Sequence, residues 1–439
     1  VHRVRRRFLA LFCGTLIPLG QSSGQSPDSA PLLHTGITGV KHATGLADPT
    51  FVLSLRPVQH VVLDAVAGLI GAAHIDSLLH STPVTRADLV KLGILRTQGN
   101  TQGNTQGNTQ GNEYAIAYLV LTAGDQRAIY AAARTYGPSL ARAYESHRAE
   151  FERLLAQYRR PDLRAELAFA IVAGMSMNWD GLKLTTDLGY RVAPVRYPNG
   201  DAYLFHSNQP GAHNPADGLY SESHSLPGAQ TTFTTFGDGP SIPRTHGIPD
   251  VFDGPAEDGL ESLKGDPAVY GAVQGELLAY IEDAAADAGA LMAALAAAPL
   301  TVPAMRARVR LPDARFDASL RFLEALGYVR KSGDTYDVAV PVLTLRDKPM
   351  LDSTLALSRR IMTEWLAANH GAMEHDLAGL SSVRDGLPFA APFGEVWHYV
   401  FGLAAKSLAT DGFFADPRAQ GRRDTGYVPL VWTTSLYHL

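Results

Sequence analysis

Two groups of side chains have the types and the crowding that chemistry requires. The first is His206, His213, His224 and His246, interspersed with Asp201, Asp217, Asp238, Asp250 and Asp253. Imidazole and carboxylate together are the ligand set of zinc and iron, and a polar loop on a rigid scaffold is a usual place for such a site. A metal there would serve a metal-dependent hydrolase centred on residues 201–253. No compact His-Glu-x-x-His signature sets the spacing, so the plainer expectation is scattered loop polarity and no cofactor. The second group is Arg306, Arg308, Arg310, Arg315, Arg321, Arg330 and Lys331, which between residues 301 and 331 face only Asp313, Asp317 and Glu324, a local charge of +4. A surface of that sign could follow the phosphates of duplex DNA. The plainer expectation is a solvated face with local ion pairs. His370 and Glu374 are four apart and share a helix face, but Gly371 weakens that helix and no third ligand falls in line. With His375 and Asp376 they read as surface. Ser221, Ser223 and Ser225 beside His224 are loop serines without a Gly-x-Ser-x-Gly elbow. Neither a Walker loop nor a dinucleotide fingerprint occurs, so no catalytic residue is assigned.

The elements that would position these groups are clearer than the chemistry. From Arg86 to Leu92 the pattern is a short helix, followed by Leu92-Gly93-Ile94-Leu95-Arg96, a turn-rich insert and the strand-like run Glu113 to Thr122. From Phe316 to Leu326 it is again a helix, followed by Leu326-Gly327-Tyr328-Val329-Arg330, the turn Lys331-Ser332-Gly333-Asp334 and the run Thr335 to Thr344. Gly93 and Gly327 supply the left-handed residue that ends a helix, and the tips close hairpins. Leu92 to Thr122 is 30 steps and Leu326 to Thr344 is 18, so the difference of 12 equals three extra copies of the Thr-Gln-Gly-Asn unit that begins at Thr97. Such an expansion of a hairpin tip is cheap, about 0.6 kcal/mol per doubling of loop length.

After Thr122 the apolar residues step at helical spacing to Tyr158, with a break or kink expected at Gly137-Pro138. Pro161 starts a helix that continues towards Leu188, and Tyr190–Tyr197 with Ala202–His206 reads as a hairpin. Residues 207–267 are dense in Gly, Pro, Ser, Asp and His, a connector with little periodicity. Tyr270 to Ala297 is helical, Leu351 to Leu377 and Glu395 to Leu408 are helices, and a hairpin closes the chain. Trp179, Trp365, Trp397 and Trp432 sit among apolar neighbours and belong to the core. The order of parts repeats: helices and hairpin arm, long helix, helix, hairpin. A unit of about 165 residues has been duplicated on this reading.

Residues 51–122 and 270–344 resemble winged helix-turn-helix modules, most clearly from Met305 to Arg330. The resemblance implies a third helix able to enter a major groove and DNA binding in most relatives. Such modules also serve as protein-binding and dimerisation units.

The front of the chain differs from the rest. Val1 to Arg7 is basic, Phe8 to Gly20 is mostly apolar and Ser22-Ser23-Gly24 is small, the pattern of a secretory signal over 1–24. Arg5-Arg6-Arg7-Phe8-Leu9 resembles a twin-arginine export signal. The one cysteine, Cys13, lies inside it, so the mature chain would have no disulfide or thiolate site. Losing four arginines leaves 34 basic against 43 acidic residues, a net charge of −9, which disfavours non-specific attraction to nucleic acid. No later run would anchor the chain in a membrane.

The expectation is therefore a mainly α protein with small β-hairpins (α+β). It comprises a signal over 1–24, an extended arm over 25–50, repeat 1 over 51–206, the connector 207–267 and repeat 2 over 268–439. The expected function is that of an exported, periplasmic or extracellular, non-enzymatic binding or scaffold protein that holds a protein partner or associates with itself. A cytosolic DNA-binding regulator and a metal-dependent hydrolase are the alternatives.

Overall fold

The computed structural model describes residues 32–40, 45–98, 113–196, 201–210, 217–227, 230–237, 283–418 and 427–437. The first half runs β1 (His34–Val40), α1 (Pro49–Ser54), α2 (Arg56–Ala67), β2 (Ile70–Gly71), α3 (Ala72–Leu79), α4 (Arg86–Lys91), β3 (Leu95–Gln98), β4 (Glu113–Ile116) and β5 (Leu119–Leu121). It continues with α5 (Ala123–Glu145), α6 (Arg148–Leu155), α7 (Arg164–Phe169), a π-helical stretch (Ala170–Asp180), α8 (Gly181–Asp187), β6 (Val195–Arg196) and β7 (Ala202–Asn208). The second half runs β8 (Glu222–Pro227), β9 (Thr231–Gly237), α9 (residues 283–295), β10 (Leu300–Thr301), α10 (Val302–Arg308), α11 (Asp313–Ala325), β11 (Val329–Ser332), β12 (Thr335–Val338) and β13 (Val342–Leu343). It ends with α12 (Lys348–Asp376), α13 (Ser381–Arg384), α14 (Phe393–Thr410) and β14 (Tyr427–Thr433). The architecture is mixed α and β with helices dominant. Among the described residues no helix is long and apolar enough to cross a membrane.

The two halves share one order of parts. Each has a three-stranded sheet, β2-β4-β3 in the first and β10-β12-β11 in the second. Their registers correspond: Ile70 opposes Tyr114 as Leu300 opposes Tyr336, and Leu95 opposes Ile116 as Val329 opposes Val338. Gly93 (φ 71°) and Gly327 (φ 66°) both take the left-handed conformation that lets the chain leave α4 or α11. The next residue then bonds back into the helix, Ile94 N–H to Leu89 O at 2.9 Å and Tyr328 N–H to Leu323 O at 2.8 Å. Thr122 with Asp125, and Thr344 with Asp347, each form a reciprocal capping box at the start of the long helices. In each half a short strand then runs parallel to the last strand (β5 with β7, β13 with β14), whose other edge pairs antiparallel with a strand ahead of the three-helix unit (β1, β9).

The halves are laced crosswise. Helix α5 of the first packs along α14 of the second, and α12 of the second packs on the π-helical stretch of the first. Contact between α5 and α14 is at backbone distance: a Cβ on Gly137 would lie 2.7 Å from Leu403 Cβ and 3.0 Å from Val400 O. Arg148, at the start of α6, caps the carbonyls of Asp411 and Gly412 and lies 5.1 Å above the Phe413 ring. His370, late in α12, stacks on Tyr190 at 3.9 Å in the corresponding place. One large apolar cluster joins elements of both halves, and a second fills the first half's three-stranded unit and the near face of its outer sheet. Trp179, Trp365, Trp397 and Trp432 are all buried.

Several local expectations fail for non-local reasons. Helix α5 passes through Gly137-Pro138 without a break, because α14 packs along it at the glycine. The 25–50 arm contains strand β1, and the start of α1 is capped by Asp48, which accepts from Thr50 N–H at 2.8 Å. The connector 207–267 contains β8 and β9, the latter buried along its whole length between β8 and β14. Instead of forming a closing hairpin, β14 pairs with β9 and β13. The helix after Pro161 includes a π-helical stretch. The leader, residues 99–112 of the Thr-Gln-Gly-Asn repeats and the turn 197–200 lie outside the described residues.

Candidate functional site

The basic residues of the second three-helix unit are largely paired. Arg306 binds Asp313 and, at 2.5 Å, Asp317, and its guanidinium lies 4.4 Å from the Phe316 ring. Arg315 makes a two-pronged contact with Asp287 of α9 at 2.5 and 2.7 Å. Arg330 reaches Asp162 at 3.0 Å and Asp337 at 3.5 Å, carboxylates that Arg160 shares. The hydrogen bond from Arg160, followed by that from Arg330, holds the Asp162 carboxyl below the usual range. Arg308 donates to Ala294 O, and Lys331 lies 5.8 Å over Tyr336. Arg310, Arg321 and Lys331 are exposed with no ion pair or hydrogen bond among the described residues. The local excess of positive charge is therefore offset by Asp162, Asp287 and Asp337, which lie outside residues 301–331. The outer face of α11 also carries Asp313, Asp317 and Glu324 beside Arg321.

Of the four histidines, His206 is described in full; His213 and His246, and the His224 side chain, lie outside the described residues. His206 is buried on β7 with Nε2 3.3 Å from Glu395 Oε1 of α14, a polar contact across the two halves. Nothing local in the sequence links these residues. Asn208, two positions on and therefore on the same face of β7, is also buried. His206 Nε2, Glu395 Oε2 and Asn208 Oδ1 lack hydrogen-bond partners among the described residues. His398, one turn along α14 from Glu395, stacks on Tyr220 at 5.7 Å. Burial, with the Glu395 charge second, pushes the Tyr399 hydroxyl well up. Asp217 accepts from the Tyr130 hydroxyl at 2.5 Å, while Asp201 is buried. Among the described residues no three His, Cys, Asp or Glu side chains converge as a metal site.

Two of the serines read as loop residues and His370, read as surface, are placed otherwise. Ser223 and Ser225 belong to β8: Ser223 is buried and accepts from Trp179 Nε1–H at 2.8 Å, and Ser225 bonds Thr234 at 3.0 Å. Ser221 holds φ at 50°, rare for a residue with a Cβ, and its carbonyl accepts from Asn178 at 2.8 Å. His370 sits in an aromatic cluster with Tyr190, Phe389 and Phe393, its Nε2 buried without a hydrogen-bond partner among the described residues. Burial lowers its pKa, an effect that Glu374 opposes. His375 and Glu374 are exposed, and Asp376 accepts from Tyr136 at 2.8 Å.

A surface hollow of about 600 Å³ lies where α6, α7 and the end of α14 meet, lined by Leu155, Arg164, Ala168, Phe413 and Phe414 among others. It touches none of these polar groups. No protein-family model, curated protein or solved structure matches the chain.

Proposed function

We propose that the protein is an exported, non-enzymatic binding or scaffold protein built from two copies of a winged-helix-like unit, which holds a protein partner. The observation that carries this reading is the correspondence of the halves, strand order, register, glycine exits and capping boxes included. The crosswise helices pack the copies against each other, so the two third helices, α4 and α11, are presented by one interlocked pair of units. A protein partner suits them better than DNA because α11 is laced with carboxylates and most of the nearby arginines are already paired. Surface pairs of this kind add little stability, about 0–1 kcal/mol each, but they do cancel the field that phosphates would need.

The reading is tested with a photo-crosslinking residue placed at exposed Ala87 of α4 or Ala318 of α11, with exposed Ala367 of α12 as the control. Protein adducts in the exported fraction at the first two positions and not at the third are expected. A salt-dependent shift of duplex DNA that Arg310→Ala and Arg321→Ala abolish would overturn it in favour of a regulator, as would recovery of the protein from the cytoplasm with residues 1–24 intact.

A further inference from the structure

At Arg191 the repetition of the two halves is broken by a buried charge. Gly189 (φ 75°) and Gly412 (φ 73°) occupy matching turns, closed by Tyr190 N–H to Thr185 O at 2.9 Å and Phe413 N–H to Leu408 O at 2.8 Å. Two residues past each glycine stand Arg191 and Phe414. Phe414 is buried against Phe169 at 5.5 Å, an ordinary apolar contact. Arg191 is 8% exposed, and its side chain lies on the first turn of the 18-residue helix α14, where a Cβ on Gly394 would come within 2.8 Å of Arg191 Nε.

That position is electrostatically wrong for a lone cation. The N-terminus of a helix carries roughly half a positive charge and unsatisfied N–H groups. Pro392 provides no side-chain cap, and the N–H groups of Phe393 and Gly394 have no acceptor among the described residues. The Arg191 guanidinium likewise makes no hydrogen bond and no ion pair within 4 Å among the described residues, and the little surface the side chain keeps leaves its nitrogens within reach of solvent. Burial pulls its pKa down to about 10, opposed only by the more distant Glu395, whose carboxylate is turned to His206. Unused donors, a desolvated guanidinium and the positive end of a long helix all require the same thing.

We propose that Arg191 and the first-turn N–H groups of α14 form a binding site for an oxyanion, a phosphate or a carboxylate group. The guanidinium offers paired donors to two oxygens and the helix end offers two more, the combination that recognises such groups elsewhere. Glycine at 394 is what allows the side chain to lie there. The second half, with Phe414 in place of arginine, has no such site.

The test is thermal unfolding and calorimetric titration of the full chain, with sodium phosphate or sodium acetate compared with sodium chloride at equal ionic strength. A saturable stabilisation by phosphate or acetate beyond chloride is expected, and which of the two binds more tightly identifies the group. Arg191→Met, which puts an apolar side chain where the matching position has one, and Gly394→Ala, which displaces the guanidinium, should each weaken binding by about tenfold or more. Glu395→Gln removes the one nearby negative charge and should tighten binding, which keeps the test open if the first two variants do not fold. No stabilisation by either anion beyond chloride, unchanged binding in Arg191→Met, or unchanged binding in Glu395→Gln would overturn the assignment.

Discussion

Replacing Gly137 with alanine probes the crosswise packing at its tightest point. Glycine inside a helix is poorer than alanine by about 0.5–1 kcal/mol, so propensity alone predicts that Gly137→Ala stabilises. The structure predicts the reverse. The new Cβ would stand 2.7 Å from Leu403 Cβ, 3.0 Å from Val400 O and 3.2 Å from Ala404 N, and two of those three atoms are backbone. Backbone cannot swing aside, so α5 and α14 must part, and overpacking of this kind costs about 1–3 kcal/mol. The net effect is a loss of roughly 0–2.5 kcal/mol. Gly371 of α12 is the internal control, since it is also helical and a Cβ there meets nothing within 4 Å. Gly371→Ala should therefore stabilise by about 0.5–1 kcal/mol. Urea unfolding of the wild type and both variants, read as midpoint shifts at constant slope, measures the difference. If Gly137→Ala stabilises as much as Gly371→Ala, the close approach of α5 and α14 is wrong.

Other perturbations test the correspondence of the halves. Gly93→Ala and Gly327→Ala place a Cβ in a left-handed turn and should each cost about 1–2 kcal/mol, by closely similar amounts, in the same urea assay. Asp347→Ala removes a capping box and should cost about 1 kcal/mol. Asp125→Ala should cost more, about 2–4 kcal/mol, because Asp125 also accepts the Ser381 N–H at 2.8 Å and the Ser381 hydroxyl, tying the halves together. Burial raises the Asp125 pKa, but the hydrogen bonds from Ser381 and Thr122 outweigh it and leave the pKa lowered. A depressed carboxylate stabilises above the unfolded-state value, about 4, and loses that contribution as pH falls through the folded value, so the acid-side decline should be shallower in Asp125→Ala. Trp179→Phe, which leaves Ser223 Oγ without the indole donor now 2.8 Å away, should lose about 1–2 kcal/mol by urea unfolding.

What could be read from the sequence was what is held by neighbours in the chain. Gly93 and Gly327 end their helices, and Thr122-Asp125 and Thr344-Asp347 start theirs, through contacts within a few residues. What could not be read depends on distant partners. The run Thr231 to Gly237 has apolar residues at every third position, which suits neither a half-buried strand nor a long helix. It becomes a strand because β8 and β14 flank it, the latter almost 200 residues away. Pro138 is accommodated within a helix braced along α14. The arginines of the second unit look free in the sequence because Asp162, Asp287 and Asp337 lie beyond residues 301–331. Glu395 stands far along the chain from His206, and Arg191 is one basic residue in an ordinary run until it is set beside Phe414.

Dividing the chain tests the interlocked pair of units most directly. Residues 1–212 and 213–439, a break between β7 and β8 that leaves all four sheets intact, are produced separately and together, and their unfolding is followed in urea. Neither piece alone should show a cooperative transition, because each half's long helix rests on the other's. The co-produced pieces should associate one to one and unfold in a single step. Two pieces that each unfold cooperatively on their own, without binding one another, would contradict the account.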